Sequence, residues 1–174
     1  MLENTKSTKF LHTSQNKMNL VMAMLQSPEL RKWIYYLTAN PSEEDDISVG
    51  TVLKENIVLD KYDDRIQQVS KILVYVDAIE GKFYHNKPSA EQWAISIAVP
   101  NEFWYIKEIG KVRAFEVAHQ IALAVDDQRL AGIGKVLISK YETYNINQRW
   151  TQLTLFLTIV NSNLPNSTIK ADNG

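Results

Sequence analysis

The chain contains no cysteine. Disulfides, thiolate nucleophiles and cysteine-type zinc sites are therefore excluded, and one argument for a secreted protein is gone. Charge of one sign is also missing: 19 basic residues stand against 20 acidic ones, for a formal net charge of -1. A protein that neutralises phosphates needs clustered Lys and Arg. No basic run occurs, so a sequence-specific nucleic-acid partner is not expected. Long hydrophobic runs are absent too. Nothing approaches the roughly 18 apolar residues that span a bilayer. The apolar stretch 20–25 is short for a signal-peptide core and charged residues 29–32 follow it, so neither a targeting peptide nor a membrane partner is expected. There are only three histidines: His12, His85 and His119. None has a second His at metal-ligand spacing.

Catalytic and cofactor motifs are lacking as well. There is no Gly-x-Ser-x-Gly elbow. The nearest approach to a phosphate loop, Gly132-Ile133-Gly134-Lys135, lacks the Walker spacing and the Ser or Thr after Lys. It also opens a strand, so no helix N-terminus would face a phosphate. Glu116 and His119 form one Glu-x-x-His, half of a di-iron bundle site whose other half is not there. The four acids Glu43-Glu44-Asp45-Asp46 lack the alternating spacing and internal Gly of a calcium loop. The pairs Asp45-Asp46, Asp63-Asp64 and Asp126-Asp127 read as ordinary loop acids. We expect no cofactor, no metal and no catalysis.

What is present is an α+β pattern in one domain. Residues 92–99 alternate Trp93, Ile95, Ile97 and Val99 with smaller residues, as a half-buried strand does. Residues 111–126 carry Ala114, Ala118, Ile121 and Val125 at helical spacing, with Val112, Phe115 and Ala122 widening that face. Arg113, Glu116 and Gln120 form a polar strip. Residues 135–141 and 151–160 are β-type and predict a wide hairpin around a polar loop at 142–150. Residues 69–79 read as a central strand, apolar on both faces. Glu80-Gly81 reads as a turn with a return strand at 82–84, and 85–92 as a polar loop.

Upstream, residues 17–26 form a Met- and Leu-rich helix. Ser27-Pro28-Glu29 then caps a second helix over 28–38, with Leu30, Trp33, Ile34 and Leu37 on one face. Residues 47–64 read as irregular, with Gly50 and Asp60 as turn points, and 62–68 as a helical turn. The expected organisation is a flexible N-terminal arm (1–16), one domain (17–160) and a flexible tail (161–174). The sheet is expected to be mainly antiparallel, packed by a central helix, with a helical segment in front.

Aromatic residues carry the remaining signal. Trp104, Tyr105, Tyr141, Tyr144 and Trp150 gather in predicted loops and at strand ends. Such residues are enriched at protein interfaces; the alternative is a small local core beneath the long loop. Phe10 and Leu11 would anchor the arm on a neighbour. The candidate interface residues are thus Phe10, Leu11, Trp104, Tyr105, Tyr144 and Trp150.

The element order over 72–160 resembles the tail-terminator and neck proteins of tailed bacteriophages. It runs through a central strand, then Ala94-Ile95-Ser96-Ile97-Ala98-Val99-Pro100, then Arg113-Ala114-Phe115-Glu116-Val117-Ala118-His119-Gln120-Ile121-Ala122. A hairpin built on Gly134-Lys135-Val136-Leu137-Ile138 and Leu153-Thr154-Leu155-Phe156-Leu157-Thr158-Ile159 closes it. The likeness is one of element order, and the segment before Val69 departs from the simplest members. It implies a structural virion subunit, assembled in the host cytoplasm as a homo-oligomeric ring at the head–tail junction or tail end. Its partners would be itself and other neck or tail proteins. Against this stand two other readings. One is a monomeric protein-binding module, cytoplasmic, offering a sheet edge or the Met-rich helix. The other is a small metal-dependent enzyme built on the acid pairs and His119.

Overall fold

The computed structural model describes residues 9–59, 70–84 and 87–160. The chain opens with α1 (Lys9–Leu25) and α2 (Pro28–Tyr35), a 3-10 turn (Pro41–Glu43) and α3 (Val49–Glu55). Then come β1 (Ile57–Val58), β2 (Leu73–Tyr84) and β3 (Lys87–Pro100). The short α4 (Asn101–Trp104), β4 (Tyr105–Ile106) and β5 (Lys111–Val112) lead into α5 (Arg113–Val125). The chain closes with β6 (Arg129–Leu130), β7 (Gly134–Asn145) and β8 (Trp150–Val160). One six-stranded sheet runs in the order β1-β2-β3-β8-β7-β6, and β4-β5 form a separate pair. Only β1 and β2 are parallel; the other ladders are antiparallel. The fold is α+β, as the pattern predicts.

Strand alternation decides which face is covered. Val74 and Val76, Trp93, Ile95, Ile97 and Val99, and Leu153, Leu155, Leu157 and Ile159 all enter one core with the helices. The opposite face carries a smaller cluster of Val58, Leu73, Ala98 and Trp150, with Tyr75 against it. Across the middle of that face the Ser96 and Thr154 hydroxyls meet at 3.0 Å.

Helix α2 follows its capping signal. Ser27 accepts the Leu30 N–H at 3.2 Å and Pro28 occupies the first turn. It ends at Tyr35 rather than at 38: Tyr36 is extended, and the carbonyls that follow the helix meet a distant side chain. Arg113 is 2% exposed. Its guanidinium donates to the carbonyls of Tyr36 (3.2 Å), Leu37 (3.0 Å), Thr38 (2.7 Å) and Phe103 (3.2 Å). Burial pushes its pKa below the ordinary arginine value, while the charge of Glu108 opposes that shift. Arg113 therefore lies inside and not in a polar strip. A helical wheel built on residue type cannot register that four carbonyls wait for it.

Other departures also depend on partners far along the chain. Helix α1 already includes residues 9–16, inside the segment expected to be a flexible arm. Its buried stripe runs through Asn16, Leu20 and Met24, so its first half shows no apolar period. Strand β2 passes straight through Glu80-Gly81 and pairs with residues 87–92, the expected loop. Gly81 is not among the glycines with positive φ, and a bulge between Ala78 and Glu80 absorbs the irregularity. Gly50 is helical, within α3. By contrast Gly110 (φ 68) does turn the chain, donating its N–H to Ile106 at 2.9 Å to join β4 and β5. The expected helical turn 62–68, Asp60, Asp63, Asp64, His85 and the tail 161–174 lie outside the described residues.

Arg113→Ala leaves four partly buried carbonyls without their donor. It is expected to lower unfolding free energy by about 3 kcal/mol or more, measured by urea denaturation. Arg113→Lys should recover only a minor part, because one ammonium has no planar fork. A loss under about 1 kcal/mol for the alanine variant would show that the carbonyls find other partners.

Candidate interaction surface

The β7-β8 hairpin is tighter than the sequence suggests. Its strands extend to Asn145 and Trp150, leaving residues 146–149 as the loop. Asn147 Oδ1 accepts the N–H groups of Arg149 (2.8 Å) and Trp150 (3.1 Å), which sets the turn. Trp150 then folds down onto Val58, Leu73 and Ala98 and is 4% exposed. As an interface residue it is corrected: it belongs to the small core on the second face of the sheet. Trp104, at the end of α4, is half-buried against the main core. Tyr144 is half-exposed, its hydroxyl accepting a hydrogen bond from Gln152 Nε2. Together with Asn101, Thr143, Asn145 and Thr151, these two line a cavity of about 450 Å³. Tyr105 is exposed outside it, and Leu11 is exposed on α1. The side chain of Phe10 lies outside the described residues.

An exposed apolar group on α5 and β7 involves residues that the aromatic count only partly reached. Phe115 (39% exposed) and Leu123 (63%) lie on the outer side of α5, and Tyr141 (58%) stands beside them on β7. The Phe115 and Tyr141 rings meet edge to face, with centroids 5.3 Å apart. One signal was available: at about 100° per residue, Leu123 falls roughly opposite Ala114 and Ala118. Phe115 was not readable in this way. It flanks Ala114 on one side and Arg113 flanks it on the other, and the helix buries the Arg113 side. His119 is exposed between them, and Glu116 is held at 2.8 Å by Lys111 instead. Among the described residues no three His, Asp or Glu side chains converge as metal ligands.

A second apolar stripe lies on another element. Leu11 (56%) and Met18 (39%) are seven residues apart on the outside of α1. The inside of that helix is fastened by a buried carboxylate. Glu91 on β3 is 2% exposed and accepts hydrogen bonds from Thr13 Oγ1 (2.5 Å) and Asn16 Nδ2 (2.6 Å). Polar residues thus replace apolar ones along this half of the stripe because a carboxylate, 75 residues downstream of Asn16, faces them.

The sheet edges are guarded. At β2, Lys17 reaches round to the Leu59 carbonyl (2.7 Å) and Asp77 (3.5 Å). At β7, Asp126 accepts the Ile138 N–H at 2.8 Å, and a bulge follows between Ile138 and Lys140. Lys140 pairs with Glu142 at 2.8 Å and sits 4.5 Å from the Phe156 ring centroid. Bulges and lysines of this kind discourage strand addition.

Residues 27–159 match the family model of YomW. The chain belongs to the YomW family. This is a phage-associated family, so the phage part of the resemblance stands. The YomW match covers α2 to β8 and leaves α1, with its exposed stripe, in front of it. No curated protein matches the chain. Among the described residues, no helix is long and apolar enough to cross a membrane.

Glu91→Ala is expected to release the first half of α1 while its apolar second half stays docked. Amide hydrogen exchange should accelerate by about tenfold or more over residues 9–19, with little change over 20–25. Uniform acceleration along the whole helix would mean that Glu91 supports α1 as a single unit.

Proposed function

We propose that this YomW-family protein is a structural subunit of a phage particle. It assembles as a homo-oligomeric ring at the head–tail junction or tail end, in contact with other neck or tail proteins, and performs no catalysis. The observation that carries the reading is the pair of separate apolar stripes, Leu11 and Met18 on α1 and Phe115, Leu123 and Tyr141 on α5 and β7. A ring is closed by heterologous contacts, in which one patch of a subunit meets a different patch of the next. A self-complementary dimer would need only one such patch. The guarded sheet edges support the same reading, because they direct association to side chains on the helical layer. The virion is the corresponding location, with assembly in the host cytoplasm.

Light scattering on a sizing column should give a discrete multiple of the 20.0 kDa chain. Phe115→Glu with Leu123→Glu should return the mass to one chain. Both positions are solvent-facing, so stability should stay within about 1 kcal/mol of the parent. A single-chain mass at every protein concentration and salt would count against the ring and favour a monomeric binding module.

A further inference from the structure

The cavity between α4 and the end of the β7-β8 hairpin has an unusual lining. Its six residues are Asn101, Trp104, Thr143, Tyr144, Asn145 and Thr151. None is charged, so an anionic or cationic ligand would find no counter-charge there. The polar groups are ordered by one another. The Asn101 N–H donates to the Arg149 carbonyl at 2.8 Å. Asn101 Nδ2 donates to the Gln148 carbonyl at 3.0 Å. Thr151 Oγ1 lies 2.7 Å from Asn101 Oδ1 and 2.9 Å from Asn145 Oδ1.

The Asn101 and Asn145 amides and the Thr151 hydroxyl form one hydrogen-bonded row. Asn101, Thr143 and Asn145 are exposed. The cavity therefore offers uncharged amide and hydroxyl groups, open to solvent, beside an indole. Trp104 is half-buried, with one part of its ring fixed on the core.

A ligand that suits this set carries several hydroxyls, no charge, and a C–H face that can lie on an aromatic ring. We propose that this cavity binds a neutral carbohydrate, with the sugar ring against Trp104 and its hydroxyls on Asn145, Thr143 and the Thr151 row. The volume of about 450 Å³ lies within the range of small-molecule sites. The proposal is independent of ring assembly.

Fluorescence can test it directly. Trp33, Trp93 and Trp150 are 4%, 1% and 4% exposed, which leaves Trp104 as the tryptophan a ligand can reach. The full chain would be titrated with cellohexaose, maltohexaose and chitohexaose, and with adenosine as a neutral aromatic comparison. One of the oligosaccharides should bind saturably below about 10 mM with a change in emission. Asn145→Ala should weaken that binding at least about tenfold, with far-UV dichroism unchanged. Trp104→Ala should abolish it; because Trp104 also packs on the core, the surface variant at Asn145 keeps the test independent of folding. No saturable binding by any of the three sugars would overturn the proposal. So would sugar binding that is unaltered in Asn145→Ala, or binding of adenosine alone.

Discussion

The buried guanidinium of Arg113 is the constraint on which much of this molecule depends. It joins three segments far apart in sequence: the chain leaving α2, the turn of α4 and the start of α5. Its desolvation is offset by four carbonyl acceptors, not by an acidic partner, so each acceptor matters. The same contact fixes the chain just after α2, where Tyr36 takes an extended conformation.

Arg113 also sets what the surface looks like. Once its side of α5 is turned inward, the far flank of the helix must turn outward. Phe115 is carried into solvent beside Tyr141, and Leu123 follows on the outer side. The exposed patch thus follows from a polar requirement of the core. On α1 the logic is similar: Glu91 claims Thr13 and Asn16 for the inside and leaves Leu11 and Met18 outside. Two polar anchors, one cationic and one anionic, orient the two helices that carry the apolar stripes. Lys17, Lys140 and a bulge lie along the flanks of β2 and β7.

The phage association rests on the family, whose matched span, 27–159, covers all but the last residue of the 72–160 region over which the order of elements resembles tail-terminator and neck proteins. The proposed ring rests on the exposed apolar residues of α1, α5 and β7. Helix α1 precedes the matched span, so Leu11 and Met18 lie outside it, while Glu91, which holds the helix, lies within it.

Periodicity by itself determined the α+β class, the buried faces of β3 and β8, the Ala114-Ala118-Ile121-Val125 stripe and the capped start of α2. These depend on side chains a few residues apart, and burial of an alternating or helical apolar face has one solution in each case. Only the tertiary structure decided the rest. The fate of Arg113, the inclusion of residues 9–16 in α1 and the continuation of β2 through Gly81 each depend on a partner many residues away. So does the burial of Trp150 beneath the hairpin, against Val58, Leu73 and Ala98. The exposed surface was legible in part. Leu11, Tyr105 and Tyr144 are exposed as their residue types suggested, and Leu123 stood off its helical face. Phe115 was not legible, because which flank of α5 turns inward is settled by carbonyls of α2 and α4. Local spacing can say that a helix has a buried face; the polar groups that meet it across the core decide how far that face is turned.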